Sequence, residues 1–438
     1  MQDLTLELEN LFDLEMSKLG EFEDNPIIAV AVSGGVDSVA LAFLANTWIK
    51  LRQGKIIALT INHNLRPESN KEAEQTKKLL IENQIEHHII KWNYSNKPTS
   101  NIQNKAREAR YNLLTEWCKN HNIIHLILAH HEDDQAETFM LRLERGSGLK
   151  GLACMASSSI KNGVRIVRPL LGFKKQQLYQ YAISKKLNWI EDPSNQSDKY
   201  RRNIVRKKLN DNNVSSEKLA NTAKNLGRAR VSLEKICAIH LVKLVKIFSL
   251  GYAVIDFKHF IILPEEEALT ILSQVIRTIG SDAIGLRLNS LERLYQKLRT
   301  GNLYSTQTLG ECKISFLENK KDIIIYREIR HKQPKITFET NSINFDNKFK
   351  IILQENLEFS NTKWDYLTNQ AWNKIVKVNK DLKDIFPKII LPTLPCLIKD
   401  SEILAIPSIN YSKDKLFKKL KIYFNPHNTV TKNLFNYR

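Results

Sequence analysis

Cysteine is scarce and scattered in this chain of 438 residues, which contains only five. No two of them form a Cys-x-x-Cys pair, and none has histidines at the spacing of a zinc site. The five are Cys118, Cys154, Cys237, Cys312 and Cys396. The sequence therefore predicts no zinc or iron–sulfur site, and an odd number of separated thiols favours a reducing compartment over a disulfide framework.

Long apolar runs are absent as well. The apolar stretch around residues 239–250 is interrupted by Lys243 and Lys246, so it is unsuited to crossing a bilayer. The N-terminal segment carries acidic residues among its leucines, whereas a secretory signal begins with basic residues and then turns apolar. We expect a soluble, cytoplasmic protein with no membrane partner.

Negative charge is in short supply. The chain has 47 acidic against 66 basic residues, which gives a formal net charge of +19 at pH 7. Such an excess favours a polyanionic partner, because lysines and arginines gain affinity by releasing counterions from nucleic-acid phosphates. The chain is also rich in Lys, Asn and Ile, a bias that raises charge without any such partner, so the charge alone leaves both interpretations open.

Strand and helix signals alternate over roughly the first half of the chain. Apolar runs at 27–32, 56–61 and 123–129 belong to a βαβ rhythm. This rhythm predicts an α/β fold with a doubly wound, Rossmann-like parallel sheet that binds ligands at the carboxyl ends of its strands. Helical patterns with few strand signals follow, and short apolar runs broken by prolines come last. The predicted domains are a doubly wound domain at 1–214, a small helical domain at 215–330 and a small α+β domain at 331–438.

Residues 33–38 read Ser-Gly-Gly-Val-Asp-Ser, between an apolar strand and an apolar helix. Paired glycines let backbone N–H groups and the positive end of the helix converge on one anion, preferably a phosphate. A Walker-type loop would place a lysine after the last glycine, but Val36 and Asp37 stand here, which suits a leaving pyrophosphate. The alternative is that the two glycines only form a turn. The hydroxyls of Ser33 and Ser38, which can donate to phosphate oxygens, and the carboxylate of Asp37, which can bind magnesium, favour a phosphate site instead. We call residues 33–38 the glycine loop.

A polar segment follows another apolar strand and opens a helix; it contains His130, His131, Asp133, Asp134 and Glu137. We predict Asp133 as the N-cap, because carboxylates are favoured there. Capping does not account for the rest, since Asp134 and Glu137 are three residues apart and share a helix face. They form a compact acidic pocket that would hold an ammonium ion or, with His130, a metal.

Basic residues accompany these motifs. Arg107 and Arg110 share a helix face, and the segment 200–208 is strongly basic after the rigid turn at 191–195. The segment 63–66, His-Asn-Leu-Arg, places an imidazole and a guanidinium at a strand's carboxyl end. A solvated surface explains each one separately, but together they favour binding of RNA.

Taken in order, these segments closely resemble the bacterial tRNA(Ile)-lysidine synthetases, which belong to the PP-loop superfamily of N-type ATP pyrophosphatases. Besides the glycine loop, the signatures are His-Asn-Leu-Arg-Pro-Glu-Ser, Ala-Arg-Glu-Ala-Arg-Tyr, Ala-His-His-Glu-Asp-Asp-Gln-Ala-Glu-Thr, Arg-Gly-Ser-Gly-Leu-Lys-Gly-Leu and Glu-Asp-Pro-Ser-Asn. They cover about the first half of the chain, and a weaker likeness to accessory C-terminal domains continues beyond residue 309. Asn64 stands where a His is common and Ser408 where a Gly often follows proline, and these departures bear on docking by the last domain.

The resemblance implies a two-step reaction on the wobble cytidine of an isoleucine tRNA with a CAU anticodon. The cytidine O2 takes the α phosphate of ATP and pyrophosphate leaves; the amine of free L-lysine then displaces AMP to give lysidine. The modified tRNA would read AUA instead of AUG. The resemblance also implies that 1–214 is catalytic and that 215–330 and 331–438 bind tRNA.

Our hypothesis assigns individual residues to the parts of this reaction. The residues assigned to ATP are Ser33, Gly34, Gly35, Val36, Asp37 and Ser38. Asp37 would also hold Mg²⁺, and Arg110 and Arg202 would offset the negative charge that develops at phosphorus. The residues assigned to the substrate lysine are His130, Asp134 and Glu137. With Asp37 and the two arginines, His130 and Asp134 complete the predicted catalytic set, and the identity of the general base stays open.

Two other functions compete with this interpretation. A tRNA thiolase of the same superfamily would also adenylate a base, but sulfur chemistry normally needs paired cysteines or a cluster, which Cys118 and Cys154 do not supply. A tRNA-binding protein that had lost catalysis would be expected to show decay of the glycine loop and the acidic pocket, and both are intact here. A homodimer stays open.

Overall fold

The computed structural model describes residues 2–64, 68–93, 102–191, 201–211, 214–280, 286–301, 305–317, 321–329, 333–339, 341–352, 362–382, 386–426 and 428–430. The chain divides into two compact units, Met1–Glu234 and Lys235–Lys432. This division falls inside one long helix. The predicted boundaries near 214 and 330 stay predictions.

A six-stranded sheet forms the centre of the first unit. Its strands are β1 (Ile27–Ala31), β2 (Lys55–Asn62), β3 (Glu86–Lys91), β4 (His125–Ile127), β5 (Ser158–Lys161) and β6 (Val164–Val167). Their order is β3-β2-β1-β4-β6-β5, and every pairing is parallel except that of β5 with β6. The predicted doubly wound α/β fold is confirmed.

Helices cover both faces of this sheet. They are α1 (Gln2–Lys18), α2 (Val36–Lys50), α3 (Ser69–Glu82), α4 (Ile102–Asn120), α5 (Glu132–Leu143), α6 (Leu149–Leu152), α7 (Lys175–Ser184) and α8 (Arg201–Asp211), followed by α9 (Ser216–Leu244). Because side chains alternate along a strand, Val30 packs with Phe12 of α1 and Leu41 of α2, whereas the adjacent Ala29 packs with Leu114 of α4.

The strand order creates a switch point between β1 and β4. From β1 the chain moves to β2 on one side, while β4 pairs with β1 on the other. Ligands of open α/β sheets bind outside the carboxyl ends of the strands at such a point. The glycine loop follows β1 and the segment from His130 to Glu137 follows β4, so the topology brings these two motifs side by side.

The second unit begins with an antiparallel sheet of five strands in its described part. They are β7 (Val245–Phe248), β8 (Tyr252–Asp256), β9 (Gln307–Leu309), β10 (Cys312–Phe316) and β11 (Asp322–Arg327), in the order β7-β8-β11-β10-β9. The helices packed with it are α10 (Phe257–Phe260), α11 (Glu265–Gly280) and α12 (Leu288–Arg299). The region predicted as a small helical domain therefore contains strands as well as helices. Strands of three to six residues give too short an alternation to stand out beside long helices.

Two further antiparallel sheets complete this unit, as the short apolar runs predicted. One contains β12 (Ile336–Glu339), β13 (Ser342–Phe345), β14 (Phe349–Ile352) and β19 (Lys421–Phe424). The other contains β15 (Thr362–Tyr366), β16 (Pro395–Lys399), β17 (Glu402–Ile406) and β18 (Tyr411–Ser412). Between the strands lie the helix α13 (Asn369–Val378) and 3₁₀ turns at Lys380–Leu382, Lys388–Thr393, Pro407–Ile409 and Lys415–Lys419. Across the described residues, no helix is long and apolar enough to span a membrane.

A lysine is buried inside the second unit. Lys348 is 1% exposed, and within the described part of the chain its Nζ has no hydrogen-bond partner. Nζ lies 5.2 Å from the centre of the Phe349 ring, and Gly251 leaves the space that the end of the lysine stem fills. Burial lowers the pKa of Lys348 to about 7. The neighbouring Arg327–Asp346 pair, with Nε and Oδ2 3.2 Å apart, is also buried.

Replacing this amine by an apolar group is predicted to stabilise the second unit at pH 7. The folded-state pKa of Lys348 is depressed, so between about pH 7 and 10.5 the unfolded chain holds more protons and stability rises with pH. Lys348→Met should add about 1–3 kcal/mol to the free energy of unfolding at pH 7 and less at pH 9.5. Urea unfolding of the full chain at both pH values measures this. Lys377→Met, on the exposed part of α13, serves as the control, and a destabilised Lys348→Met at pH 7 would contradict the prediction.

Candidate functional site

The glycine loop leaves β1 at the carboxyl edge of the sheet and leads into α2. Gly35 is the N-cap, and Gly34 has a φ of 90°, a left-handed conformation that favours glycine. The Ser38 hydroxyl donates to Gly35 O at 2.9 Å and accepts from the Ser33 N–H at 3.0 Å. Ser38 therefore braces the turn, while the first N–H groups of α2 have no acceptor within the helix and are available to an anion.

The two glycines of the loop have different surroundings. Gly34 O accepts the Ile190 N–H at 2.9 Å, and a Cβ added at Gly34 would lie only 2.7 Å from Thr76 Oγ1. A Cβ added at Gly35 would find Ser33 Oγ as its nearest neighbour, at 3.7 Å, an ordinary contact. The protein itself thus requires glycine at position 34, while the open side of Gly35 leaves room for a phosphate.

The start of α5 differs by two residues from the predicted one. The N-cap is His131, and Asp134 Oδ2 accepts the His131 N–H at 3.2 Å, so the predicted cap at Asp133 was wrong. Asp133 Oδ2 instead accepts the Lys175 N–H at 3.3 Å. A carboxylate can accept the N–H of the N-cap residue only from three positions later in the chain. Because this segment has several adjacent acidic residues, the sequence does not show which of them fills that position.

His131 links the glycine loop to α5. The residue is 3% exposed, and its Nε2 lies 3.6 Å from Asp37 Oδ2 and 3.6 Å from Asp134 Oδ2. Its Nδ1 lies 3.6 Å from Asp133 Oδ2. Burial opposes protonation, but the surrounding carboxylates raise the pKa of His131 above its usual value. His131 had no assigned role in the sequence prediction, although its position beside His130 at a strand end was the signal.

The same contacts keep both carboxylates ionised. Burial disfavours the charged forms of Asp37 and Asp134, yet their pKa values lie below the usual range because of His131 and, for Asp134, also His130 and Arg202. The structure therefore brings together two predicted site residues that are far apart in sequence, with the buried imidazole of His131 between them.

Guanidinium groups occupy the predicted acidic pocket. Arg206 Nε lies 2.6 Å from Glu137 Oε1, and Arg202 lies 3.5 Å from Glu137 Oε2 and 3.7 Å from Asp134 Oδ1. Glu137 is 1% exposed at its side chain, and burial raises its pKa even though both arginines oppose the shift. Arg206 had no assigned role, because sequence does not show which residues of the basic helix α8 point towards α5.

His130 and Arg110 share the electrostatic environment of Asp134. His130 is 8% exposed, and burial lowers its pKa well below the usual value although Asp134 acts in the opposite direction. Within the described residues, Nδ1 of this neutral imidazole has no hydrogen-bond partner. Arg110 is half-buried on α4; burial lowers its pKa, Arg202 acts in the same direction and Asp134 opposes it.

Parts of two predicted motifs lie outside the described residues. They are 65–67 in the His-Asn-Leu-Arg segment and 192–200 in the rigid turn and the start of the basic segment. Of the first motif, His63 is described: its ring packs edge-on against Trp92, with centroids 5.7 Å apart. Burial and then Arg110 lower the pKa of His63, so its imidazole is neutral at the same edge of the sheet.

The chemistry of the site fits a nucleotide phosphate and Mg²⁺. Asp37 Oδ1 is buried and accepts no hydrogen bond from the described residues, which leaves a carboxylate oxygen for a ligand. Among these residues, no group of three or more His, Cys, Asp or Glu side chains is arranged to hold a metal. A single carboxylate next to a phosphate site is the donor set that Mg²⁺ uses, since it retains waters and binds phosphate oxygens.

Comparisons with known protein sequences match nearly the whole chain. A family model described as a PP-loop domain matches residues 8–213. The tRNA(Ile)-lysidine synthase of Wolbachia sp. subsp. Brugia malayi (strain TRS) is 38% identical over 423 residues, which are 94% of this chain and 95% of that protein. That of Wolbachia pipientis wMel is 38% identical over 439 residues, 98% of this chain and 99% of that protein. The similarity therefore extends through the second unit.

A solved structure, the U34-tRNA thiolase NcsA from Methanococcus maripaludis with its [4Fe-4S] cluster, aligns with a TM-score of 0.43 and 21% identity. The alignment covers 50% of this chain and 79% of that one. A likeness of this degree supports no functional argument.

The two glycines are predicted to respond differently to alanine. Gly34→Ala puts a side chain in the left-handed region and against Thr76, and should cost about 1–2 kcal/mol or more of stability. Gly35→Ala should cost clearly less, because its φ of −72° suits any residue. Thermal unfolding followed by circular dichroism measures both variants, with Thr76→Ala added to the Gly34→Ala chain to relieve the contact. Equal losses for the two single variants would contradict the geometry.

Proposed function

The chain belongs to the tRNA(Ile)-lysidine synthase family, and we propose that its glycine loop and the start of α5 together ligate L-lysine to C2 of cytidine 34 in the CAU-anticodon isoleucine tRNA. In the first step the cytidine O2 forms a bond to the α phosphorus of ATP, and the bond to the β phosphate breaks. In the second, the lysine Nε bonds to C2, the C2–O2 bond breaks and AMP leaves with that oxygen. The amine gives up a proton.

One observation carries the assignment of both steps to a single place. His131 lies between Asp37 of the glycine loop and Asp134 of α5, at 3.6 Å from each. A phosphate-binding loop and an acidic pocket therefore share one edge of the sheet. This is the arrangement needed when a nucleotide and an amine react in turn with the same base.

The glycine loop provides the contacts for the leaving pyrophosphate. We assign its oxygens to the N–H groups at the start of α2, with the positive end of the helix dipole behind them. The Ser33 hydroxyl, which donates to Ser38 Oγ at 3.1 Å, would turn from that contact to donate to a phosphate oxygen. Asp37 Oδ1 is the oxygen assigned to Mg²⁺. When bound, the ion neutralises charge on the phosphates.

Arg110 and Arg202 are assigned to the α phosphate, where negative charge grows during transfer. Fixed guanidinium groups stabilise such charge strongly in a site that excludes water. Arg202 is 38% exposed at its side chain and contacts Asp134 and Glu137 at 3.5–3.7 Å, so it is held close to the acidic pocket without being buried.

The substrate lysine is assigned to Asp134, Glu137 and His130. In the described part of the chain Glu137 Oε2 and His130 Nδ1 accept no hydrogen bond, and these are the buried atoms available to the amine. Arg206 holds Oε1 of Glu137, while Arg202 Nε lies 3.5 Å from Oε2, so the amine would share Oε2 with Arg202. Glu137 is the best suited of the three to take the proton, because burial has raised its pKa, whereas burial has lowered that of His130.

The cysteines argue against the thiolase alternative. All five are buried, and none is half of a disulfide. Burial raises the pKa of Cys118 to about 12 and that of Cys154 to about 11. Reactive sulfur chemistry needs an accessible thiolate, so these two thiols are unsuited to it.

The protein is predicted to attach lysine to the isoleucine tRNA with a CAU anticodon but not to a methionine tRNA with the same anticodon. Purified protein should transfer radiolabelled lysine to an unmodified CAU-anticodon isoleucine tRNA transcript in the presence of ATP and Mg²⁺. One AMP should form per lysine attached. The elongator methionine tRNA, which has the same anticodon, is the control. Absence of label with continued tRNA-dependent pyrophosphate exchange would retain adenylation and refute lysine as the nucleophile.

Two acidic residues are predicted to act in different steps. Asp37→Asn should lower tRNA-dependent pyrophosphate exchange about 100-fold or more, since it removes the charge assigned to Mg²⁺. Glu137→Gln should leave exchange nearly intact and raise the KM for lysine about 10- to 100-fold, the expected loss for a charged hydrogen bond. It should also slow ligation at saturating lysine, because it removes the assigned proton acceptor. Glu108→Gln on the exposed face of α4 is the control. An unchanged lysine KM in Glu137→Gln would refute the lysine site.

A further inference from the structure

Two buried polar residues beneath the glycine loop have no part in the reaction described above. Thr60 on β2 is 4% exposed and His87 on β3 is 6% exposed. The Thr60 hydroxyl lies 2.7 Å from Val32 O and 2.8 Å from His87 Nε2. Val32 directly precedes Ser33, so these contacts end at the base of the loop.

The direction of both hydrogen bonds follows from their chemistry. Val32 O is a carbonyl and only accepts, so the single proton of the Thr60 hydroxyl is committed to it. Thr60 Oγ1 must then accept from His87, which requires a proton on Nε2. The other nitrogen, Nδ1, is buried and has no partner among the described residues, in keeping with a neutral ring. Burial lowers the pKa of His87 to about 4.

This chain of bonds fixes the point where the backbone leaves the sheet. Ala31 is the last residue of β1 to pair with β2, opposite Leu59, and the Val32 N–H donates to Leu59 O at 2.8 Å. The Val32 carbonyl is held by a side chain. From the next residue the chain turns through Ser33 and Gly34 to reach α2, so a shift of this carbonyl would move the loop.

We propose that Thr60 and His87 are positioning residues for the ATP phosphates, acting through Val32 as a relay from His87 Nε2–H to Thr60 and from Thr60 to the Val32 carbonyl. The inference rests on the assignment of ATP to the glycine loop. Neither side chain touches substrate in this account. Displacements of about 1 Å far from the reacting atoms can cost about 100-fold in rate, so a relay of this kind is sufficient to affect catalysis.

The kinetic test uses a shape-matched pair of variants. Thr60→Val removes the hydroxyl and keeps the side-chain shape, and should raise the ATP KM about 10- to 100-fold with the lysine KM unchanged. Thr60→Ser restores the hydroxyl and should return the ATP KM to near the wild-type value. Affinity for a non-hydrolysable ATP analogue, measured by calorimetry, should follow the same order. An unchanged ATP KM and analogue affinity in Thr60→Val, or equal losses for ATP and lysine, would overturn the proposal.

A spectroscopic test reads the relay directly and does not depend on turnover or on a folded valine variant. Two-bond proton–nitrogen correlation spectra of the ¹⁵N-histidine-labelled full chain at pH 7 should show His87 as the neutral Nε2–H tautomer. A Nδ1–H tautomer or a charged ring would refute the relay. If wild-type protein bound the analogue but failed to ligate lysine, the proposed function would fail while the relay could still be confirmed by the spectra and the analogue affinities.

Discussion

A buried histidine among carboxylates is the constraint on which the site depends. His131 is close to fully enclosed, and its two nitrogens face Asp37, Asp134 and Asp133. Removing the His131 side chain would leave the partly buried carboxylates of Asp37 and Asp134 without the neighbour that lowers their pKa values, which is costly in a protein interior. Because Asp37 belongs to the loop after β1 and Asp134 to the helix after β4, the same interaction fixes the distance between the proposed phosphate and amine sites. The parallel order of these adjacent strands makes that contact possible.

Two arginines of the chain neutralise the negative charge of the acidic pocket. Asp134 and Glu137 face Arg202 and Arg206, so two anions meet two cations before any substrate arrives. Glu137 still has a raised pKa, which shows that burial outweighs this balance at that carboxylate. A cationic substrate would thus compete with guanidinium groups for a carboxylate that is poorly solvated. In this account the pocket favours an amine that can lose its proton there.

The elements that sequence predicts well are those with local signals. The glycine loop, the alternation of strands and helices, and the shared helix face of Asp134 and Glu137 all depend on neighbours within a few residues. The features it misses depend on residues distant in the chain: His131 with Asp37, Arg206 with Glu137, and Thr60 with His87. The five-stranded sheet of the second unit is hard to predict from sequence for another reason. Its short strands lie next to long helices and give no extended alternation of apolar and polar residues.

The most direct test of the account is a structure of the full chain with a non-hydrolysable ATP analogue, Mg²⁺ and L-lysine bound together. We expect the β and γ phosphates at the start of α2, with Mg²⁺ on Asp37, and the lysine side-chain amine on Glu137 Oε2 with Arg206 still on Oε1. The two ligands would then flank His131. Finding the lysine amine away from α5, or the phosphates away from the glycine loop, would contradict a single site for both steps.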